Sequence, residues 1–426
     1  MDSQLDSHTI NNVLLIAFHY PPVKVSSGVQ RTLAFSRYLP ENQWQPWVLT
    51  AHPRAYPSIS DDQIGDIPEG VVVKRAFALD SARHLSCRGR YLDILALPDR
   101  WISWWMAGVI GGLRTIRQNK VSLIWSTYPI TTAHLIALVL QRVTGLPWVA
   151  DFRDAMVDDV YPAPGIRRRC HAWIEKKTVE ACAAAVFTSP GAIALYRQRY
   201  PTMAENKWHL IPNGYNEEIF AEVEADMKPE AGKAGRALRL IHSGVLYPSE
   251  RDPKPFFEAI AELKVQGLLS VERIRIILRA TEHDELYQPL IDALCINDIV
   301  ALEPGISYRE ALSEMLNADG LLIFQAANCN HQIPAKLYEY FRAKRPIFAL
   351  TDSHGDTASA LRAAGIDTCV ALDNKEAIKV GLLSFISALE QGTGAVVSQT
   401  DANYYSRRAF TKNLGALFNQ VIAAAK

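Results

Sequence analysis

The segment LIHSGVLYPSERDPKPFFEAI, residues 240–260, contains one strand–loop–helix unit that sets the pattern for the whole chain. The apolar run Leu238–His242 predicts a buried strand, which passes through Ser243-Gly244 into a polar loop. A helix is predicted to follow from about Pro255. Such a unit is the building block of a parallel sheet covered by helices.

The same order of elements occurs at the start of the chain. The predicted strand Val13–Phe18 runs through HYPPVKVSSGVQRT, residues 19–32, into the predicted helix Gly28–Leu39. Strand-like and helix-like segments then alternate to the end of the sequence. A chain of 426 residues is too long for one core, so we predict an α/β fold of two Rossmann-like, doubly wound domains that face each other across a cleft.

The domain boundaries follow from a change in composition. The segment 216–236 is polar, acidic and interrupted by proline and glycine, which is typical of a linker. It separates a domain over residues 1–215 from a domain over residues 237–403.

Composition restricts the class of protein. Forty-five basic residues balance forty-five acidic ones, so we expect no nucleic-acid partner. The six cysteines are scattered and form no C-x-x-C pair, as in a reduced cytoplasmic protein without a zinc site. The first apolar run is too short for a secretory signal, and no segment is long enough to span a membrane. We expect a cytoplasmic protein.

Candidate site residues follow the first strand, because open parallel sheets bind ligands beyond the carboxyl ends of their strands. His19 and Tyr20 end the strand, and Gly28 opens the helix. A helix N-terminus with a glycine suits an anion. The alternative is a plain helix cap provided by Ser27.

The fifth strand of the first half ends in WVADFRDAMVDD, which places Asp151, Arg153 and Asp154 at the same edge of the sheet. Carboxylates that flank an arginine can orient hydroxyl groups and hold a local charge balance. The alternative is a structural ion pair at a loop.

In the second half, Gly244 permits a close approach of the backbone, while Arg251 and Lys254 can neutralise a diphosphate. Further along, Lys336 and Glu339 stand three residues apart on the first turn of a predicted helix. A carboxylate there can accept both hydroxyls of a ribose. The alternative is a surface ion pair worth less than about 1 kcal/mol.

In this order and spacing, seven segments resemble family-4-type glycosyltransferases with the GT-B fold. They span roughly Val13 to Leu350 and are YPP…SSGVQR, LPDRWISWW, STYPITTAHLIAL, GLPWVADFRD, IPNGYNEEIF, HSGVLYPSERDP and IPAKLYEYFRAKRPI. The resemblance implies a nucleotide-sugar donor on the second domain, an acceptor on the first, and transfer with retention of the anomeric configuration.

The resemblance also implies roles for individual residues on the donor side. Glu339 would bind the ribose, Tyr308 would lie beside the base, and Arg251 with Lys254 or Lys336 would stabilise the diphosphate leaving group. On the other domain, Gly28 would let the first loop close over the diphosphate, and the segment 404–426 would return to that domain as a helix.

The sequence departs from the pattern of the family at two places. Many relatives have a glutamate eight positions before the ribose-binding one, where this chain has His331. The residues that contact the donor sugar are therefore not fixed by the resemblance, and the candidates are Asn328, Asn330, His331 and Gln332. Many relatives also have a histidine where this chain has DFRD, so the acceptor-side roles of Arg153 and Asp154 rest on position.

The expected mechanism needs neither a protein nucleophile nor a metal ion, since cations aimed at the leaving group stabilise the developing charge. Membrane association is a further expectation. Trp101, Trp104 and Trp105 on one helix, and Trp173 within the basic segment 167–177, are typical of surfaces that rest on anionic lipid. The alternative is that these tryptophans lie in the core. A membrane site would suit a lipid-linked saccharide acceptor in polysaccharide or lipopolysaccharide assembly.

Two other functions fit the same predicted fold. A sugar-nucleotide 2-epimerase would use the donor site alone, and a catalytically inactive scaffold would bind the nucleotide-sugar without transfer. A periplasmic binding protein also has two α/β domains, but we expect no signal peptide here.

Overall fold

The computed structural model describes residues 10–24, 27–86, 90–159, 161–227 and 235–425. Ser26, the side chain of the predicted cap Ser27, and Cys87 lie outside the described residues. The predicted α/β class is confirmed, because the chain forms two parallel sheets with helices between their strands. It divides into an N-terminal unit, Met1–Asn213 with Arg407–Lys426, and a C-terminal unit, Gly214–Ser406.

The sheet of the N-terminal unit has seven strands: β1 (Asn11–Ile16), β2 (Trp44–Ala51), β3 (Val72–Ala76), β4 (Val121–Thr127), β5 (Trp148–Arg153), β6 (Ala184–Phe187) and β7 (Trp208–Leu210). Its helices are α1 (Ser27–Tyr38), α2 (Ser81–His84), α3 (Trp104–Gln118), α4 (Thr131–Thr144), α5 (Ile166–Ala181) and α6 (Pro190–Arg199). The strand order is β3-β2-β1-β4-β5-β6-β7.

The sheet of the C-terminal unit has six strands: β8 (Leu238–Ser243), β9 (Ile274–Arg279), β10 (Val300–Glu303), β11 (Gly320–Phe324), β12 (Ile347–Leu350) and β13 (Cys369–Val370). Its helices are α7 (Glu217–Asp226), α8 (Lys254–Val265), α9 (Asp284–Ala293), α10 (Tyr308–Asn317), α11 (Lys336–Ala343), α12 (Asp356–Ala363), α13 (Lys375–Glu390) and α14 (Gln399–Tyr404). The strand order is β10-β9-β8-β11-β12-β13.

The last helix, α15 (Arg407–Ala424), belongs to the N-terminal unit and packs on α1. The ring of Phe418 lies edge-on to Trp44, with 5.2 Å between centroids, and the indole N–H of Trp44 donates to Asn419 at 3.0 Å. The sequence places this returning helix over 404–426, whereas the structure ends α14 at Tyr404 and begins α15 at Arg407.

Each sheet has one point where its strand order reverses. In the N-terminal unit the order reverses between β1 and β4, and in the C-terminal unit between β8 and β11. Loops that leave neighbouring strands in opposite directions open a crevice at such a point, which is where ligands bind. The loops after β1, β4, β8 and β11 are therefore the places to look for a site.

The central strand β11 of the six-stranded sheet is buried on both faces. Along β11, Leu321 and Ile323 lie in one apolar cluster, while Leu322 and Phe324 lie in another. Successive side chains of a strand point to opposite faces, so a strand covered on both sides must be apolar throughout. This explains why such strands appear in the sequence as uninterrupted apolar runs.

The predicted linker over 216–236 differs from the structure, because its first half is the helix α7. Ile219 and Phe220 of this helix are buried. The acidic side chains Glu217 and Glu224 both bind the guanidinium group of Arg342 on α11, at 2.6 and 2.8 Å. The acidic composition therefore serves a helix that is packed on the C-terminal core.

Candidate functional site

The loop after β8 begins at a glycine whose backbone conformation few other residues adopt. Gly244 has a φ of +114°, and its N–H donates to the carbonyl oxygen of Arg279 at 2.8 Å. A Cβ atom at this position would lie 3.1 Å from Nζ of Lys336. Glycine is thus required both for the backbone angle and for the close approach of the lysine.

Lys336 is the first residue of α11 and contacts a buried histidine. Its Nζ lies 3.0 Å from Nε2 of His242, whose Nδ1 lies 2.9 Å from the carbonyl oxygen of Leu322. Burial, followed by the charge of Arg251, holds the pKa of Lys336 well below its usual range. Burial and then the charge of Lys336 likewise hold the pKa of His242 well below its usual range.

Arg251 is the second cation of this cluster. Its guanidinium group donates to the carbonyl oxygen of Val245 at 3.1 Å and lies over the ring of Tyr247, 5.5 Å from the centroid. Its charge acts on both Lys336 and His242. Lys254 is instead an exposed residue on the first turn of α8. Of the two lysines proposed as partners of Arg251, Lys336 is the one that lies near enough for the charge of Arg251 to act on it.

Glu339 lies three residues after Lys336, on the first turn of α11, and is only 8% exposed. Its Oε1 accepts a hydrogen bond of 2.7 Å from the hydroxyl of Tyr308. Tyr308 is placed by the start of α10, where Ser307 and Glu310 form a capping box. Because Lys336 and Glu339 lie on the same first turn of α11, the cation and the carboxylate reach the same edge of the sheet.

The loop after β11 is held by the buried side chain of Gln325, which the sequence analysis did not single out. Its amide nitrogen donates to the carbonyl oxygens of Cys329 and Gln332, at 2.6 and 3.0 Å. The hydroxyl of Thr357 donates to Oε1 of Gln325 at 2.7 Å. This network fixes the backbone on either side of His331.

Of the four candidates for contact with a donor sugar, the two asparagines hold loops together. The amide of Asn328 donates to the carbonyl oxygen of Ser249 at 2.9 Å, and that of Asn330 donates to Asp352 at 2.6 Å. The side chains of His331 and Gln332 are half-buried in the same loop. These two remain the candidates for contact with a sugar.

A second cluster lies in the N-terminal unit, where a Cβ added at Gly28 would lie 3.0 Å from both Nη1 of Arg153 and Nδ1 of His19. Arg153 has a φ of +61° at the irregular end of β5. Its Nη1 also donates to the carbonyl oxygen of Tyr128 at 3.3 Å, while Asp154 beside it is half-buried. Burial and then the charge of Arg153 lower the pKa of His19 to about 4.

Residues 27–214 match the family model described as a glycosyl transferase 4-like domain. The match contains Gly28, Arg153 and Asp154 of the N-terminal cluster, whereas His19 precedes it, and the resemblance recognised from the sequence motifs is confirmed over these residues. Among curated protein sequences, none matches the chain.

Solved structures extend the similarity to nearly the whole chain. The sucrose-phosphate synthase of Thermosynechococcus elongatus is 15% identical with a TM-score of 0.68, over 97% of this chain and 100% of that one. HepE of Anabaena, in complex with UDP and glucose, is 11% identical with a TM-score of 0.65, over 96% and 100%. The UDP-GlcNAc 2-epimerase of Methanocaldococcus jannaschii is 12% identical with a TM-score of 0.56, over 96% and 99%. These similarities confirm the GT-B fold class.

Two residues of the N-terminal unit that we assigned to the acceptor side are wholly buried instead. Asp151 forms a bidentate ion pair with Arg31, in which Nε and Nη2 of the arginine each donate a hydrogen bond of 2.9 Å to the carboxylate. Tyr20 shares a hydrogen bond of 3.0 Å with Ser36, and burial raises the pKa of Tyr20 to about 12. Neither side chain has a surface left for an acceptor, so both assignments are wrong.

Arg31 is the residue of the glycosyl transferase 4-like domain that sequence reasoning missed. Besides Asp151, it donates to the carbonyl oxygens of Ile211 and Pro212, at 2.9 and 2.7 Å. It thereby ties α1, β5 and the end of the domain together. The signal in the sequence is the position of Arg31 in SSGVQR, one of the segments that carry the resemblance. Its partner Asp151 lies in WVADFRD, within another of these segments.

Two other segments of the resemblance contact each other within the domain. Asp99, from LPDRWISWW, accepts hydrogen bonds from the backbone N–H of Thr132, at 2.8 Å, and from its hydroxyl. Thr132 belongs to STYPITTAHLIAL and lies in the first turn of α4. Asp99 thus caps α4, so these motifs are explained by helix capping.

The tryptophans predicted on a membrane surface divide into two groups. Trp104 is fully buried, and Trp101 and Trp105 pack against the core, so the expectation is wrong for these three. Trp173 on α5 is 51% exposed. Arg167, Arg169 and Lys176 on the same helix are also exposed. Among the described residues, no helix is long and apolar enough to cross a membrane.

Proposed function

We propose that the protein transfers a hexose from a nucleotide-sugar to a saccharide or lipid-linked saccharide, with retention of the anomeric configuration. The observation that carries the proposal is the cluster of Gly244, Arg251, Lys336 and Glu339 at the reversal point of the C-terminal sheet. One carboxylate and two cations beside an open backbone match the ribose and the diphosphate of a nucleotide-sugar.

Each residue has a specific task in this proposal. Glu339, oriented by Tyr308, accepts the two hydroxyls of the ribose. Arg251 and Lys336 bind the diphosphate and stabilise the negative charge that it gains when the glycosidic bond breaks. The loop containing His331 and Gln332 lies against the hexose. Cations in a partly buried site stabilise a leaving group strongly, so the reaction proceeds without a metal ion.

The acceptor is assigned to the N-terminal unit, on His19, Arg153 and Asp154. Burial and the charge of Arg153 hold the pKa of His19 at about 4, so its imidazole is neutral at physiological pH and can accept a hydrogen bond from a sugar hydroxyl. The Arg153 guanidinium and the Asp154 carboxylate orient sugar hydroxyls. Retention of configuration is taken from the family that the motifs resemble.

The exposed basic and aromatic face of α5 supports a peripheral location on an anionic cytoplasmic membrane surface. Arg167, Arg169 and Lys176 supply positive charge, and Trp173 supplies an interfacial aromatic ring. This location suits a lipid-linked acceptor and a role in cell-surface polysaccharide or lipopolysaccharide synthesis.

A 2-epimerase is the second candidate, because the Methanocaldococcus jannaschii 2-epimerase has a similar fold. An inactive nucleotide-sugar-binding scaffold is the third, because His331 replaces the glutamate of many relatives. Incubation of UDP-, GDP-, ADP- and dTDP-sugars, with and without a saccharide acceptor mixture, separates these functions. A glycosylated product that forms only with acceptor supports transfer. Conversion of the sugar without acceptor supports the epimerase, and binding without any conversion supports the scaffold.

A further inference from the structure

A histidine from the centre of the C-terminal sheet contacts the lysine that begins α11. His242 and Lys336 are 94 residues apart in sequence, yet Nε2 and Nζ lie 3.0 Å from each other. His242 is 1% exposed, near the end of β8, whereas Lys336 is half-buried beside Gly244. The histidine therefore contacts the lysine from the interior of the C-terminal unit.

The direction of the hydrogen bonds follows from the second contact of the imidazole. The carbonyl oxygen of Leu322 can only accept, so Nδ1 of His242 carries a proton and donates to it at 2.9 Å. Burial and the nearby charges of Lys336 and Arg251 keep the imidazole neutral by lowering its pKa. Nε2 is then an acceptor, and Nζ of Lys336 donates to it.

The groups that face Lys336 explain why such an acceptor is needed. Burial and the charge of Arg251 disfavour the ammonium form of Lys336, while Glu339 on the same turn of α11 favours it. Two tyrosines lie close by: the oxygen of Tyr340 accepts from the N–H of Ser243 at 3.4 Å, and Tyr308 contacts Glu339. A neutral imidazole adds a hydrogen bond to the ammonium group without adding a second positive charge.

We propose that His242 is the positioning residue for Lys336: the imidazole, fixed by the carbonyl oxygen of Leu322, holds the ammonium group against Gly244, where it meets the donor diphosphate. The inference rests on the proposed function for the identity of that ligand. His242 itself does not contact the donor. A long flexible side chain held in one place loses less entropy when it binds a phosphate, so the diphosphate is bound more tightly.

Two variants separate the two hydrogen bonds of the imidazole. His242→Asn retains a donor for Leu322 and removes the acceptor for Lys336, whereas His242→Gln retains an acceptor near Nε2. We screen UDP, GDP, ADP and dTDP by calorimetry and compare the tightest with its nucleoside and with inorganic pyrophosphate. His242→Asn is expected to weaken binding of the nucleotide and of pyrophosphate about tenfold and to leave binding of the nucleoside unchanged. His242→Gln is expected to stay within about threefold of the native protein.

A double variant tests whether His242 acts through the lysine. The single variant Lys336→Met is expected to weaken binding of the nucleotide, and adding His242→Asn to it is expected to have no further effect. His354→Leu, at a histidine whose side chain is 90% exposed, is the control and is expected to bind normally. Equal losses for nucleotide and nucleoside, or additive losses in the double variant, would overturn the positioning role.

The pH dependence supplies an independent readout. A lysine with a lowered pKa loses its charge as the pH rises through that value, so affinity for UDP-glucose, or for the sugar nucleotide of the preferred base, falls with rising pH. In His242→Asn the ammonium form of Lys336 loses its hydrogen-bond acceptor, so the affinity falls at a lower pH than in the native protein. In Lys336→Met the fall in affinity with rising pH disappears. If the affinity falls at the same pH in the native protein and in His242→Asn, the inference is contradicted.

Pyrophosphate binding that depends on both His242 and Lys336, without nucleotide binding, retains the positioning role and rejects the proposed function. Binding of no probe at all rejects both.

Discussion

The hydroxyl of Tyr308 donates a hydrogen bond of 2.7 Å to Oε1 of Glu339, across a sequence separation of 31 residues. Each residue begins or lies in the first turn of its helix, α10 and α11 respectively. A carboxylate that is only 8% exposed keeps one orientation when a phenol holds it. In the proposed function, this orientation decides how well the ribose is bound.

The variant Tyr308→Phe is therefore expected to weaken the preferred nucleoside diphosphate. Loss of one hydrogen bond to a charged group corresponds to about 1–2 kcal/mol, or roughly five- to thirtyfold in Kd. Calorimetric titration measures the change. Tyr404→Phe, at a tyrosine that is 64% exposed in the same unit, is the control and should not alter Kd. An unchanged Kd in Tyr308→Phe would show that the phenol does not orient the carboxylate.

The pair Arg31–Asp151 is expected to stabilise the N-terminal unit. Arg31→Met leaves the Asp151 carboxylate buried without its cation, which should lower the free energy of unfolding by about 3–5 kcal/mol. All nine tryptophans lie in this unit, so urea unfolding followed by tryptophan fluorescence reports on it alone.

The matched control for this pair is Arg197→Met, because Arg197 forms an exposed ion pair with Glu205 in the same unit. Surface pairs of this kind contribute about 0–1 kcal/mol. If Arg31→Met is no more destabilising than Arg197→Met, the buried pair does not have the structural role described above.

The variant Gly28→Ala is expected to reduce transfer without weakening the fold. The new methyl group would lie 3.0 Å from both Arg153 and His19, so these two side chains must move. We expect kcat/KM for transfer to fall at least about tenfold, since small displacements of catalytic groups are costly.

Gly65→Ala provides the control for this prediction, since a Cβ at Gly65 meets nothing within 4 Å. Its kinetics should match those of the native protein. Normal transfer by Gly28→Ala would remove His19 and Arg153 from the acceptor site.

Vesicle binding tests the peripheral location on the membrane. The double variant Arg167→Glu/Arg169→Glu reverses two exposed charges on α5 and should weaken co-sedimentation with anionic vesicles at least about tenfold. Arg197→Glu changes one exposed charge on α6 and should have little effect. Equal binding of the native protein to neutral and anionic vesicles, or none to either, would contradict this location.

The sequence predicts the two sheets well because their strands are buried on both faces and therefore appear as apolar runs. Leu321, Leu322, Ile323 and Phe324 of β11 illustrate this, since alternate residues enter separate clusters. The positions of Gly244, Arg251 and Lys336 could also be anticipated, because loops after parallel strands meet at one edge of the sheet.

Partners that are distant in sequence could not be predicted from residue types alone. Asp151 finds Arg31 across 120 residues, and Lys336 finds His242 across 94. Periodicity indicates which face of an element is buried but not which polar group it meets there. The acidic residues of α7 predict a linker because such a segment is typical of exposed chain, whereas Glu217 and Glu224 bind Arg342.

The central claim is that the C-terminal unit binds a nucleotide-sugar through Glu339, and differential scanning calorimetry with UDP, GDP, ADP and dTDP tests it most directly. In the native protein, one nucleotide at about 100 times its Kd should stabilise the folded state by about 2.7 kcal/mol and raise Tm. Glu339→Gln should lose most of this shift, whereas Glu285→Gln, at a glutamate whose side chain is 80% exposed, should keep it. No shift with any of the four nucleotides, or the same shift in Glu339→Gln as in the native protein, would contradict the claim.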